Sequence, residues 1–360
     1  MSAFSALLTP FKSATRGSGR GWIGVDIGTR LIKLAQIRRQ AGTYQFTGCW
    51  TIGSDDDDSL DRQTLRDSGL EAKRALIQSA RGMFLGRDAA AALPMSFVEL
   101  RSLELPCGPR QELLAMVEQE LAGDLEGNEA SCDFDAWEAG VVGDTSKVVA
   151  VACERKLGSN VAHDLLSAGL QCNVLDATPC ALARAVRLCD PPSVDHPVCA
   201  LDFGDAAAML TVVHESRPIF CRTLRGCGLQ AIIQRLQDKL HVRRSECRQL
   251  LTRYGLPNAV DRESVLATHR IIAPVIEQLA EELKRTLQFL AQQSSQMMPQ
   301  RLWLFGGGAL IRNLPEYLST RLELPTSRWS LTPSGASSAD GVEALYGVAA
   351  GLSALAWESL

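Results

Sequence analysis

The apolar positions of this chain fall into short runs that break in a repeated way. In "GWIGVDIGTRLIK", residues 21–33, an apolar segment reaches Asp26 and Gly28, and the polar pair Thr29–Arg30 follows. The pattern then predicts a strand over 31–38, a turn at Gln40–Gly42 and a return strand through "TYQFTGCW". In "VCALDFGDAAAMLTVV", residues 198–213, the frame recurs with Asp202 and Gly204. A strand over 207–213, a turn at His214–Ser216 and a return through "PIFCRTL" follow it. Two such strand–turn–strand–turn–strand units suggest a duplicated fold with two facing halves.

Between them, residues 93–168 read as strand (96–105), helix (109–126), strand (132–140), strand (146–154) and helix (155–168). The first helix follows Pro109, a residue suited to the N1 position, and carries the apolar stripe Leu113, Leu114, Val117 and Leu121. The second stops before Gly169, a residue suited to a helix C-terminus. The expected organisation is a flexible tail (1–20), a first half (21–92), an inserted α+β subdomain (93–168), a connection back through the core (169–197) and a second half (198–360). Near the end, "RLWLFGGGALIRNLPEYLSTRL" predicts a buried strand Leu302–Phe305, a run Gly306–Gly307–Gly308, and a helix starting at Asn313 or Pro315. In "EELKRTLQFL", residues 281–290, the spacing puts Glu281, Lys284 and Arg285 on one helical face.

Each pattern has a plain structural meaning and a chemical one. Asp and Gly are ordinary turn formers. A carboxylate at a strand end also suits a hydrated Mg²⁺, and the N–H groups of a Gly-Thr turn suit phosphate oxygens. A glycine run between strand and helix serves a positive φ, or lets a ligand approach the backbone. The Glu281, Lys284 and Arg285 face is either a solvated surface or a contact for ribose and purine. One Asp-Gly turn decides nothing, but two of them facing each other would bracket a phosphate chain and its metal.

Composition narrows the classes. Apolar residues make up 46% and charged residues 22%, as in ordinary globular proteins. The net charge of −4 gives no reason to expect nucleic acid as a partner. No apolar run reaches the ~18 residues of a membrane helix, and no secretory leader is evident. The 11 cysteines are scattered without a C-x-x-C pair, which argues against a zinc or disulfide framework and for a reducing compartment. Residues 1–20 carry Lys12, Arg16 and Arg20 among Phe4, Leu7, Leu8 and Phe11, and are read as a loose tail rather than a membrane-surface segment. "SDDDDS" (54–59), "CDPPSVDHP" (189–197) and "SLTPSGASSAD" (330–340) read as solvated connections.

Together the four motifs resemble the actin-like ATPase superfamily, which includes actin, heat-shock chaperones, sugar kinases and FtsA. "VDIGT" is similar to its first phosphate loop, "LDFGD" to its second, and "LFGGGALIRNL" to its adenosine motif. Within it, the chain resembles the PilM family of type IV pilus assembly from about residue 21 to 355. "LPMSFVELRSLELP", "AGLQCNVLDATPCALARAV" and "LYGVAAGLSAL" belong to that likeness. The resemblance implies an α/β actin-like fold, a duplicated RNase H-like core with a small inserted α+β subdomain. It implies ATP and Mg²⁺, with Asp26 and Asp202 toward the metal. Gly28, Thr29, Arg30, Lys33, Gly204 and Asp205 would lie toward the phosphates. Gly306, Gly307, Gly308, Glu281, Lys284 and Arg285 would lie toward the nucleoside. Asp176 is the one carboxylate near the place where relatives activate water. The implied partner is the N-terminal cytoplasmic segment of a PilN-like inner-membrane protein, held between core and insert, together with other pilus assembly proteins. The implied location is cytoplasmic, at the inner face of the membrane.

The second loop departs from the pattern. Ala206, Ala207 and Ala208 stand where active relatives place hydroxyl donors, and Asp205 adds a negative charge. The expectation is at most a slow ATPase. The alternatives are a small-molecule kinase of the same superfamily and a type II secretion or FtsA-like assembly protein.

Overall fold

The computed structural model describes residues 19–53, 60–122, 132–189, 196–257, 263–293, 297–331 and 341–358. Residues 1–18 of the expected tail, the acidic run 54–59, most of the connection 189–197 and the loop 332–340 lie outside the described residues, while Arg20, the last residue of that tail, forms an antiparallel β-bridge with Arg38.

Two five-stranded sheets repeat one plan. In the first, β1 (Ile23–Ile27) pairs antiparallel with β2 (Ile32–Gln40), which pairs antiparallel with β3 (Thr43–Ile52). On its other side β1 runs parallel to β4 (Asp88–Ala92), and β4 parallel to β8 (Gln171–Asp176). In the second, β9 (Val198–Phe203), β10 (Ala207–His214) and β11 (Arg217–Arg225) form the same meander. There β9 runs parallel to β12 (Leu302–Phe305), and β12 parallel to β13 (Thr326–Arg328). The repeat extends to the hairpin turns. Ala41 and Gly42 have φ of 49° and 82°, and Glu215 and Ser216 have 48° and 65°. Two left-handed residues match the right-handed twist of the strands they join.

Strands β1 and β9 are apolar throughout apart from their aspartates because both faces are covered. Between the sheets lie α5 (Thr178–Cys189) and α10 (Gly347–Ser353), packed with Ala90, Ala200, Phe305 and Trp329. The indole Nε1 of Trp329 donates to the Ala185 carbonyl at 2.8 Å. On the far side of the first sheet are α1 (Arg62–Ser68), α2 (Arg74–Arg81) and α4 (Arg155–Ser167). On the far side of the second are α6 (Leu229–Leu240), α7 (Arg244–Arg253), α8 (Glu263–Gln293) and α9 (Leu314–Leu322).

The insert is a three-stranded antiparallel sheet, in the order β5 (Glu99–Pro106), β7 (Thr145–Glu154), β6 (Cys132–Val142). It is covered by α3 (Arg110–Ala122), whose Leu113, Val117 and Leu121 face Leu105, Ala136, Val148 and Ala150. Three local expectations change. The helix expected over 155–168 within the insert packs instead on the first core. Its Leu157, Val161 and Leu165, one residue per turn, cover Leu65 and Ile77 beneath β1. The strand expected from 96 starts at Glu99, after a 3₁₀ turn at Met95–Phe97. Pro109 precedes the first helical residue, Arg110, and its carbonyl accepts from the Leu113 N–H at 3.1 Å, so it stands at the N-cap rather than N1. Residues 123–126 of that expected helix lie outside the described residues. Among the described residues, no helix is long and apolar enough to cross a membrane.

Candidate nucleotide cleft

The equivalent strands β1 and β9 bring Asp26 and Asp202 to one cleft between the two halves. Each aspartate is the penultimate residue of its strand. Lys33 lies opposite Asp26 in the β1–β2 register, and its Nζ donates to Asp26 Oδ2 at 2.6 Å. Burial works against the charged ammonium, but the carboxylates of Asp26 and Asp202 outweigh it and raise the Lys33 pKa. Burial pushes the Asp202 carboxyl up to about 6, the Lys33 charge pulling it down and the Asp26 charge adding to the rise. One cation thus serves two carboxylates.

The rest of the first turn is tied locally. The Gly28 N–H donates to the Leu31 carbonyl at 3.0 Å, and the Thr29 carbonyl accepts from the Leu60 N–H. In the second turn, Asp205 forms an ion pair with Arg30 of the first half at 3.4 Å and another with Arg244 of α7. Its backbone is held by α6, where Leu229 and Gln230 donate to the Gly204 and Asp205 carbonyls at 3.0 and 2.9 Å. Ala206, Ala207 and Ala208 line the cleft and offer no side-chain donor.

The three glycines divide their tasks. Gly306 has φ of 79°, and a Cβ there would stand 2.5 Å from Asp202 Oδ1, so any side chain collides with the carboxylate. A Cβ on Gly308 would stand 2.2 Å from the Phe203 ring, so this glycine serves strand–helix packing. Gly307 faces the cleft, with Arg248 Nη1 3.8 Å from where its Cβ would lie.

Other expected residues are not brought there. Glu281, Lys284 and Arg285 lie exposed on α8 and do not line the cleft. Arg285 pairs with Glu282 at 2.9 Å, and Glu282 also takes Arg222 at 2.7 Å. Their shared face is a solvated, ion-paired surface. Asp176 is outside the cleft lining too. Its Oδ2 accepts from Arg184 at 2.7 Å, and Thr178, two residues on, is the cleft residue of that segment. The arginines of α7, Arg244 at Asp205 and Arg248 in the lining, were missed from sequence. Their only signal is the basic run after His241, which has no fixed spacing to either Asp-Gly turn.

The donor set fits a hydrated magnesium ion. Mg²⁺ keeps several waters and takes one or two carboxylates plus phosphate oxygens. Asp26 and Asp202 supply that number, and among the described residues no group of three or more His, Cys, Asp or Glu side chains forms an all-protein metal cage. Such an ion competes with Lys33 for the Asp26 carboxylate.

A second concavity, of about 730 Å³, opens between the insert and the core. Arg110, Leu113, Leu114 and Trp137 wall it on the insert side, α5 forms its floor, and the Ser216–Pro218 turn closes it. The Trp137 Nε1 donates to the Pro218 carbonyl at 2.7 Å, tying the insert to the second half. Arg184 in the floor is fixed by Asp176 and, at 2.9 Å, by Glu358.

Two equivalent sheets, paired Asp-Gly turns in the cleft between them and an inserted subdomain define an actin-like protein. The solved PilM–PilN type IV pilus biogenesis complex is similar, with a TM-score of 0.75 at 20% identity over 94% of this chain and 99% of that one. The ethanolamine utilization protein EutJ of Carboxydothermus hydrogenoformans matches at a TM-score of 0.54 and 15% identity, covering 98% and 95%. MreB 5 of Spiroplasma citri, solved with AMPPNP, matches at 0.52 and 10%, covering 92% and 95%. The family described as type IV pilus assembly protein PilM matches residues 24–333. The chain belongs to that family.

Proposed function

We propose that this protein is an actin-like scaffold of type IV pilus assembly. It binds ATP with Mg²⁺ in the cleft and takes the N-terminal cytoplasmic segment of a PilN-type inner-membrane protein in the groove beside the insert. The observation that carries the nucleotide reading is the convergence of Asp26, Lys33 and Asp202 from two equivalent turns on one cleft. Asp26 and Asp202 hold the hydrated ion, which screens the phosphate charge. Thr29, Arg30 and Lys33 face the phosphates, and Gly307 and Arg248 border the nucleoside side.

The lining supports binding without efficient turnover. Among the described residues it contains no Glu, Gln or His. Two of its aspartates are ion-paired, Asp26 with Lys33 and Asp205 with Arg30 and Arg244. The third, Asp202, lies in the field of Lys33 and is committed to the metal on this reading. Activating water or an acceptor hydroxyl takes a carboxylate or equivalent base in reach. That lack also disfavours a small-molecule kinase. The groove supports the partner reading because apolar Leu113, Leu114 and Trp137 stand beside the charged Arg110, Arg184 and Glu138, a surface for an extended amphipathic peptide. The partner's membrane anchor then places the scaffold at the inner membrane face, with other pilus proteins around it.

Titration with a fluorescent ATP analogue in Mg²⁺ tests the cleft. The Asp26→Ala, Asp202→Ala double variant abolishes binding on this account, and unchanged affinity rules the cleft out. Turnover at the rate of an active sugar kinase would overturn the scaffold reading.

A further inference from the structure

We infer that Asp205 is an internal stand-in for a ligand's terminal phosphate, a carboxylate that latches the two phosphate turns together until a phosphate group displaces it. This rests on the nucleotide reading of the cleft and names what regulates entry to it.

Asp205 is pulled from both sides. Arg30 reaches it from the first half at 3.4 Å, across the cleft, and Arg244 from α7 in its own half. The side chains of Arg30 and Asp205 are only 16% and 11% exposed, so solvent screens their attraction weakly. Arg244 is 7% exposed, so solvent screens its attraction to Asp205 weakly as well. Two guanidiniums converging on one carboxylate are a preformed site for a tetrahedral anion, because the same fork of donors serves carboxylate and phosphate alike. The loop bearing Asp205 is anchored by the first N–H groups of α6, so the carboxylate is held at this place by its backbone as well as its charge. The alanines after it leave the loop no other polar side chain to offer a phosphate.

Two consequences separate this role from simple neutralisation of Arg244. The contact to Arg30 spans the cleft, so breaking it loosens both turns. The carboxylate also repels the group it imitates, so a triphosphate is penalised more than a diphosphate.

The test uses the full chain, Asp205→Asn and, for the cross-cleft arm alone, Arg30→Gln, which leaves the buried Asp205–Arg244 pair intact. In ligand-free protein, both variants speed hydrogen exchange in residues 26–30 and 204–208. With inorganic tripolyphosphate and with ATP as probes, Asp205→Asn binds about tenfold tighter than the natural chain, while ADP changes by about threefold or less. Unchanged exchange in both variants overturns the latch. Weaker or equal tripolyphosphate binding by Asp205→Asn overturns the stand-in role. If tripolyphosphate tightens while neither protein binds any nucleotide, the latch stands and the nucleotide reading falls.

Discussion

The first and second phosphate turns share a backbone and differ in charge. Both follow a central buried strand, both place an aspartate one residue before the strand end, and both lead into hairpins with two left-handed residues at the tip. After Asp26 come Thr29, Arg30 and Lys33, whereas after Asp202 come Asp205 and three alanines. The first turn therefore supplies the donors and cations, and the second supplies anions. Each corrects the other: Lys33 lies within the field of both Asp26 and Asp202, and Arg30 reaches Asp205. Duplication supplied two copies of one scaffold, and divergence of a few side chains made them complementary across the cleft.

Removing the shared cation breaks that complementarity most severely. Lys33→Met leaves Asp26 and Asp202 facing each other in a buried site, and should cost about 2–4 kcal/mol of stability at pH 7 in urea melts. Lowering the pH to about 6 and below, where Asp202 takes up a proton, or adding Mg²⁺ should restore part of the loss.

The second turn gives a prediction of opposite sign. The Asp202 carboxyl titrates at about 6 in the folded chain, above its ordinary value near 4. Between those values the folded state holds the proton more tightly than the unfolded state, so stability falls as pH rises through this window. Asp202→Asn removes the penalty. It should stabilise the ligand-free protein by roughly 1–3 kcal/mol at pH 7, with the gain vanishing below about pH 4. Melts at the two pH values decide it.

Giving the second turn what the first retains sharpens the comparison. Ala206→Thr restores a hydroxyl beside the cleft and should tighten ATP analogue binding by ~0.5–1.5 kcal/mol, the net worth of one hydrogen bond. Steady-state turnover should stay near background, since no base is added. The smallest effect is expected away from both turns. Replacing Glu281, Lys284 and Arg285 together by alanine should change analogue affinity by less than about 0.5 kcal/mol, the scale of surface ion pairs.

What sequence could and could not show divides along the range of the interaction. The turns, hairpins and strand–glycine–helix unit were legible because each is specified within about twenty residues. The tasks within the glycine run were not, because Gly306 and Gly308 answer to Asp202 and Phe203, a hundred residues away. Helix α4 was recognised as a helix but assigned to the wrong body. An apolar stripe says that a helix is covered, not by which sheet. The spacing of Glu281, Lys284 and Arg285 likewise fixes a shared face but not its direction, and α8 turns it to solvent. Asp176 was legible only as the one carboxylate near the place where relatives activate water, while its capture by Arg184 depends on where α5 begins. Arg248 reaches the cleft, and Arg244 reaches Asp205, through the packing of α7, which no local pattern encodes.

The claim that the two turns together form the nucleotide site is tested most directly by hydrogen exchange of the full chain with and without a saturating Mg²⁺–ATP analogue. The account predicts slowed exchange at 26–33 and 202–208, and around Arg248, with 281–285 unchanged. Protection at 281–285 with both turns unaffected would contradict it.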